Sequence, residues 1–525
     1  MTPPSPKSRI ARSTGVLAAS IGASRLLGFV RDILLAGLFG TTMQAQAFVV
    51  AYRLPNLLRD LVAEGAMTSG MVPVLSWYKA KREPEEFWRL SQALWAQWLV
   101  LLCALGLIGA LAAPLIVRLV APGFAADPEK FALTVRLTRI LFPFVTLVGL
   151  WAYFMGLLNS LGHFAMPALG PAILNGAMII ACLWFAPRAH PAIVAVAVAV
   201  IIGGVVQLAA QVPAAMRRGW RWKWRWRHPG ASEVLRLLGP RLIGNGVYQA
   251  SVLVDTALAS LSAIVGEGAV AALYFANRLA QLPLALFGTA AAQASLPALA
   301  EQAAHEDFEG FASTLRSVIR MVGFVMLPSA VGIAVLAHPI IGGLFERGAF
   351  DHRSTLMTAR ALICYAFGLF AFALDNVLTG AFYALRDTWT PVRLAAQTVA
   401  ANILLSAALM WPLQVGGLAL AASITNSVNA MRLARGMERR LGRPLIAPSI
   451  GPLLRMAVAS LVMGAGCWML WRAGLARTPA WLGLPAAIAA GVALYLVSCR
   501  LLRVQEMETA LRWLGTLRSH RSSGK

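Results

Sequence analysis

The feature that most constrains this chain is a succession of apolar blocks long enough to cross a lipid bilayer. Leu94–Val120, Ile193–Val212, Val392–Leu413 and Pro485–Leu502 are examples, and a bilayer core takes roughly 20 helical residues at about 1.5 Å each. Of the 525 residues 58% are hydrophobic and 13% charged, whereas a soluble domain is about half apolar and a quarter charged. Soluble architectures are excluded, and the fold class expected is an all-α integral membrane protein.

The formal net charge is +24, from 46 Lys+Arg against 22 Asp+Glu. In a soluble chain that excess would suggest nucleic acid. Here the basic residues sit mostly between the apolar blocks, so they read as topology determinants facing anionic membrane lipid, with no nucleic-acid role. The five cysteines (Cys103, Cys182, Cys364, Cys467, Cys499) fall in or beside apolar blocks, and the seven histidines are scattered. Neither set has the spacing of a metal site, and no metal or cofactor is expected.

Apolar blocks read against turn and charge signals give about fourteen transmembrane helices. They fall near 14–39, 46–78, 92–120, 131–158, 166–186, 191–213, 236–263, 268–297, 312–338, 355–384, 391–412, 414–435, 452–473 and 478–502. One set of loops holds Lys79, Lys81 and Arg82, the run Arg217–Arg227, Arg386 and Arg393, and Arg432–Arg443; the opposite loops are short and poor in charge. By the positive-inside rule the basic set and both termini are cytoplasmic.

Three features recur at one offset of 224 residues: Pro73 with Pro297, Gly156 with Gly380, and Pro167 with Pro391. This predicts two six-helix parallel repeats plus two C-terminal helices. The expected organisation is a tail (1–13), an N-lobe (14–213), a basic and aromatic loop (214–235), a C-lobe (236–435), a basic loop (436–451), two further helices (452–502) and a tail (503–525). Transporters built from such repeats bind substrate between the halves and rock them for alternating access.

Charge at bilayer depth costs about 2.5–3.5 kcal/mol per residue on insertion scales and usually faces a cavity or a partner. The first span contains SRLLGFVRD with Arg25, Arg31 and Asp32; the second contains YRLPNLLRDLVAEGA with Arg53, Asn56, Arg59, Asp60 and Glu64; the eighth carries Arg278. Arg25 and Arg31 are six residues apart, as are Arg53 and Arg59, which sets each pair about 120° around the helix and about 9 Å along it. Such spacing suits several grips on one large anion, and arginine is the residue for bidentate phosphate contact. Asp255, a lone acid in the seventh span, either binds a coupling cation or proton or pairs with an arginine. Asp387 is a second coupling candidate, or else it caps the next segment. The loop RRGWRWKWRWRH at 217–228 reads as a headgroup-binding strip or, more plainly, as an interfacial anchor.

Five stretches then carry a resemblance: SRLLGFVRDILLAGLFG (24–40), AFVVAYRLPNLLRDLVAEGA (47–66), YFANRLAQLPLALFGTAAAQASLPAL (274–299), LFERGAFD (344–351) and FYALRDTWTPV (382–392). Together they resemble the MurJ (MviN) family of lipid II flippases, within the multidrug/oligosaccharidyl-lipid/polysaccharide exporter superfamily, over nearly the whole chain. The resemblance implies transfer of an undecaprenyl-diphosphate-linked peptidoglycan precursor across the bacterial cytoplasmic (inner) membrane, for cell-wall biogenesis. It implies that Arg25, Arg31, Arg59, Arg278 and Glu64 line a central cavity, with the arginines on the diphosphate, and that the last two spans guide the polyprenyl tail. Cell-wall synthesis proteins are the expected partners besides membrane lipids. Two positions depart from the family's usual acids: Gln46 entering the second span, and Asn277 before Arg278.

A flippase for another polyprenyl-linked glycan is the nearest alternative. A drug or cation antiporter of the same superfamily would hold cations through acids, and a membrane enzyme would need a catalytic constellation that the sequence does not offer. No GxxxxGK[ST] nucleotide loop is present, so the drive expected is an Na+ or H+ gradient, the membrane potential or consumption of substrate outside.

Overall fold

The computed structural model describes residues 6–59, 70–475 and 478–508. Among the described residues every regular element is a helix. In chain order they are α1 (Pro6–Phe39), α2 (Met43–Arg59), α3 (Val72–Lys81), α4 (Pro84–Leu111), α5 (Ala113–Val120), α6 (Pro128–Leu141), α7 (Pro143–Ser160), α8 (Ala165–Ile180), α9 (Ala192–Met216) and α10 (Pro229–Ala259). There follow α11 (Ser262–Val265), α12 (Ala269–Pro283), α13 (Thr289–Ala304), α14 (Phe308–Phe345), α15 (His352–Ala384), α16 (Trp389–Leu413), α17 (Val415–Leu441), α18 (Ala447–Ala473) and α19 (Ala480–Leu501).

Local signals set the helix ends. Asp127 precedes Pro128, and its carboxylate accepts hydrogen bonds from the Glu129 and Lys130 amides, both at 3.1 Å, an N-cap with proline at the first helical position. Asp307 and Asp351 start α14 and α15 in the same way, accepting from the Gly310 and Ser354 amides at 2.8 Å each. Gly442, with φ +64°, ends α17 in the left-handed conformation that glycine adopts without a Cβ penalty. Inside α14 the helix bends at Leu336, three residues before Pro339, where the proline ring displaces a turn.

Ten helical segments among the described residues are long and apolar enough to cross a membrane. The described helices α1, α10 and α17 have the length, at 34, 31 and 27 residues, but they carry ionisable side chains along it. Residues 60–69 of the second expected span lie outside the described residues.

By packing the chain divides into two units, Met1–Ser262 with Arg347–Phe350, and Ala263–Glu346 with Asp351–Lys525. In the first, α1 packs on α8, α2 on α6, and α4 and α9 on α7, while α10 lies against α3, α4 and α5. Packing therefore groups α10 with the first unit. In the second unit α15 packs against both α14 and α17, α16 against α17, and α18 against α14 and α19. Membrane helices of this kind approach where side chains are small: a Cβ on Gly368 of α15 would stand 2.7 Å from the Ser423 Cα of α17.

The RGAF segment 347–350 belongs to the first unit because it lies on the end of α1. The Ala349 amide donates to the Gly37 carbonyl at 2.9 Å. Gly40 has φ +54°, and a Cβ there would lie 2.1 Å from the Ala349 oxygen. Both the backbone conformation and the space demand glycine. Gly40→Ala is therefore expected to cost about 1 kcal/mol or more, read as a lowered Tm of the purified protein. A Tm equal to wild type would show that 347–350 is not held against α1.

Candidate functional site

Arg31 is the best-defined charge at membrane depth. Its side chain is on α1, and it is 7% exposed beside Asp32 at 3%. The guanidinium donates through Nη2 and Nε to Asp32 Oδ1, at 2.7 and 3.0 Å, and through Nη1 to Asn175 Oδ1 at 2.8 Å. Asn175, on α8, in turn donates through Nδ2 to the Ser24 carbonyl of α1 at 3.1 Å. Gly28 makes room for that amide: a Cβ there would sit 3.3 Å from Asn175 Nδ2. Burial of an ion pair is tolerated only when its remaining lone pairs and protons are also satisfied, and Asn175 supplies that third side. It lay unnoticed in the sequence as one neutral residue of the apolar run PAILNGAMII.

The other predicted residues are distributed more loosely. Arg25 lies about one and two-thirds turns before Arg31 on α1 and is exposed. Arg53, Asn56 and Arg59 sit on α2 of the same unit, all partly exposed, around the buried Pro55. Glu64, with Asp60, lies outside the described residues. Asp255 is on α10, hence with the first unit, and is partly exposed.

In the second unit Arg278 of α12 donates through Nη2 to the Tyr274 hydroxyl at 3.5 Å, and its Cζ lies 5.1 Å from the centre of that ring, a cation–π contact within one helical turn. Asn277, in place of an acid, accepts from Gln281 Nε2 at 2.6 Å. Gln46, the other neutral replacement, accepts from Lys130 Nζ at 3.3 Å and donates to the Thr41 carbonyl at 3.3 Å. Lys130 is 2% exposed and lies 4.3 Å from the centre of the Phe124 ring. Its position on the edge of a span hid it from sequence reading.

Asp387 is a structural cap. Its carboxylate accepts from the Trp389 and Thr390 amides at 3.1 and 3.0 Å and from Thr390 Oγ1 at 2.8 Å, and it pairs with Arg440. Those bonds engage both of its oxygens and give Asp387 the capping role. Asp375 of α15, by contrast, accepts from Asn429 Nδ2 of α17, whose Oδ1 accepts from Thr398 Oγ1 of α16 at 2.9 Å. This polar chain runs across three helices and was not visible in the sequence.

Two outcomes check these assignments. Asp32→Ala leaves a buried guanidinium without its carboxylate and is expected to cost about 3–5 kcal/mol; a Tm within error of wild type would remove the pair from the account. Burial pushes the Asp387 carboxyl up, but the Thr390 bonds and the Arg440 charge outweigh it, so it titrates below the usual carboxylate range. With the folded pKa below the unfolded one, its stabilisation holds at neutral pH and is lost as pH falls through the folded value. Asp387→Asn should therefore lower Tm at about pH 7, with the gap to wild type closing in acid. A pH-independent gap would contradict the cap.

A family model described as lipid II flippase MurJ matches residues 35–481. The chain is 35% identical over 514 residues to a probable lipid II flippase MurJ of Vibrio cholerae, covering 95% of this chain and 97% of that one. It is 33% identical over 423 residues to the lipid II flippase MurJ of Burkholderia cenocepacia, covering 79% and 81%. Among solved structures, lipid II flippase MurJ in an inward closed conformation superposes with a TM-score of 0.79 at 25% identity, covering 92% of this chain and 98% of that one. An inward-facing multidrug-resistance MATE transporter of the MOP superfamily gives 0.68 at 14% identity, covering 80% and 94%, a likeness of fold alone.

Proposed function

We infer the activity from one premise: this chain belongs to the lipid II flippase MurJ family. It is a lipid II flippase, and its work is transfer of a polyprenyl-diphosphate glycopeptide between leaflets rather than covalent chemistry. The membrane is the bacterial cytoplasmic membrane, with both termini inside, a reading supported by the basic loops at 79–82, 217–227 and 432–443.

The observation that carries the mechanism is the buried Arg31 with its two partners. A diphosphate crossing hydrocarbon without compensation is very costly, and a guanidinium held at that depth is equally costly without a partner. Each can relieve the other. In the structure Asp32 and Asn175 hold Arg31; in transport the diphosphate takes their place, bidentate on the guanidinium. Arg25, Arg53 and Arg59 of the same unit supply further grips, with Asn56 on the same helix as the latter two. Release on the far side returns Arg31 to Asp32, which resets the binding helix without stranding a charge.

Alternating access follows from the repeat-built fold. An Na+ or H+ gradient, or the membrane potential, supplies direction, with Asp255 as the coupling residue on α10. Cell-wall synthesis proteins that consume the substrate outside would pull in the same direction.

The test uses cells in which this protein is the sole lipid II flippase, with outer-leaflet lipid II as the readout. Wild type should deliver it, Arg31→Ala should lose it with normal insertion, and Arg31→Lys, which keeps charge without the bidentate fork, should fall between. Full delivery by Arg31→Ala would remove Arg31 from substrate handling. No delivery by correctly inserted wild type would replace lipid II with another polyprenyl-linked glycan.

A further inference from the structure

The transport mechanism leaves unused the most heavily charged surface of the molecule, the segment joining α9 to α10. Between Arg217 and Arg227 it carries Arg217, Arg218, Arg221, Lys223, Arg225 and Arg227, interleaved with Trp220, Trp222, Trp224 and Trp226. It forms no helix beyond Gly219 and lies along the first turns of α4. A period of two in an extended chain sends alternate side chains to opposite sides, and the contacts follow that rule. Trp95 of α4 has the rings of Trp220, Trp222 and Trp224 at 6.1, 5.0 and 6.3 Å, and Trp226 stacks on Trp224 at 6.4 Å.

The backbone is fixed to the helix. Gln92 donates to the Arg221 carbonyl at 3.1 Å and accepts from Arg225 Nε at 3.2 Å, while Gln97 donates to the Trp226 carbonyl at 2.7 Å. Trp220 is 4% exposed and anchors the strip against Phe154, at 5.1 Å between rings. The remaining tryptophans are open: Trp222, Trp224 and Trp226 are 69%, 57% and 47% exposed. Directly beyond Gln97, α4 begins its outward apolar run with Val100, Leu101, Leu107, Ile108 and Leu111. The strip thus lies where the hydrocarbon-facing surface ends, at the depth that tryptophan and arginine favour.

None of the six basic residues has a carboxylate partner among the described residues. The nearby acids Glu85 and Glu86 are taken by Arg89 and His228. Arg218 and Arg221 bond backbone carbonyls or His163, and Arg217, Lys223 and Arg227 are exposed. A purely anchoring loop needs its tryptophans; it has no need of so many uncompensated cations in fixed array.

We propose that the 217–227 strip is a binding surface for anionic glycerophospholipids, taking their phosphodiesters along Arg217, Lys223 and Arg227 and seating acyl chains on the open tryptophan row. The occupant is the lipid of the surrounding leaflet, separate from the transported substrate, and its binding clamps the loop and α4 at the membrane surface.

The test is native mass spectrometry of the full-length protein released from nanodiscs made of equal parts phosphatidylglycerol and phosphatidylcholine. Wild type should retain phosphatidylglycerol preferentially, and the triple variant Arg217→Gln, Lys223→Gln, Arg227→Gln should lose that enrichment by about fivefold or more. Because none of these side chains makes an internal contact that the fold uses, its Tm should match wild type. As a check that needs no variant, the wild-type enrichment should fall as salt rises from about 0.1 M to about 1 M, where the screening length drops from about 10 to about 3 Å. Equal enrichment in wild type and the triple variant, or an enrichment indifferent to salt, would overturn the proposal and leave the strip as an interfacial anchor.

Discussion

An ionised side chain cannot rest uncompensated in hydrocarbon, and the interior of this molecule is arranged around that constraint. Arg31 meets it with Asp32 on its own helix and Asn175 on a neighbour. The arrangement ties α1 to α8 by polar bonds in a region where dispersion and small-residue packing otherwise join the helices. The same economy recurs elsewhere. Lys130 has Gln46 and the Phe124 ring, and Asp375 has Asn429 backed by Thr398. A neutral amide thus takes part at each costly group: Asn175 beside the carboxylate at Arg31, Gln46 at Lys130 and Asn429 at Asp375.

α1 serves two purposes along its length. Its middle carries the Arg31 centre, and its end carries the contact with 347–350 through Gly37 and Gly40. The two lie within three turns of each other, and the segment 347–350 packs with the first unit although its flanking sequence belongs to the second.

Much of the fold was legible in the sequence because its cause is one-dimensional. Apolar length forces helices across the bilayer, and the aspartates at 127, 307 and 351 cap three helix starts. The charged positions of α1 and α2 were legible for the same reason, since a charge in an apolar block stands out. Their partners were not. Asn175 is an unremarkable residue of α8 until the fold brings it 144 positions back to Arg31, and the Asp375–Asn429–Thr398 chain likewise depends on three helices meeting. The grouping of α10 with α3, α4 and α5 also depends on packing that a sequence offset does not record. Asp387 shows a local ambiguity resolved by geometry: the acid reads as a coupling site or a cap, and the amides of Trp389 and Thr390 decide for the cap.

The central claim is that Asp32 and the substrate diphosphate compete for Arg31. Its most direct measurement is the affinity of purified protein for lipid II, compared between wild type and the near-isosteric variant Asp32→Asn. Tighter binding by the variant is expected, because the guanidinium no longer has to give up the Asp32 carboxylate. Binding that is unchanged or weaker would mean that Arg31 and Asp32 form a structural pair and that the diphosphate is held elsewhere.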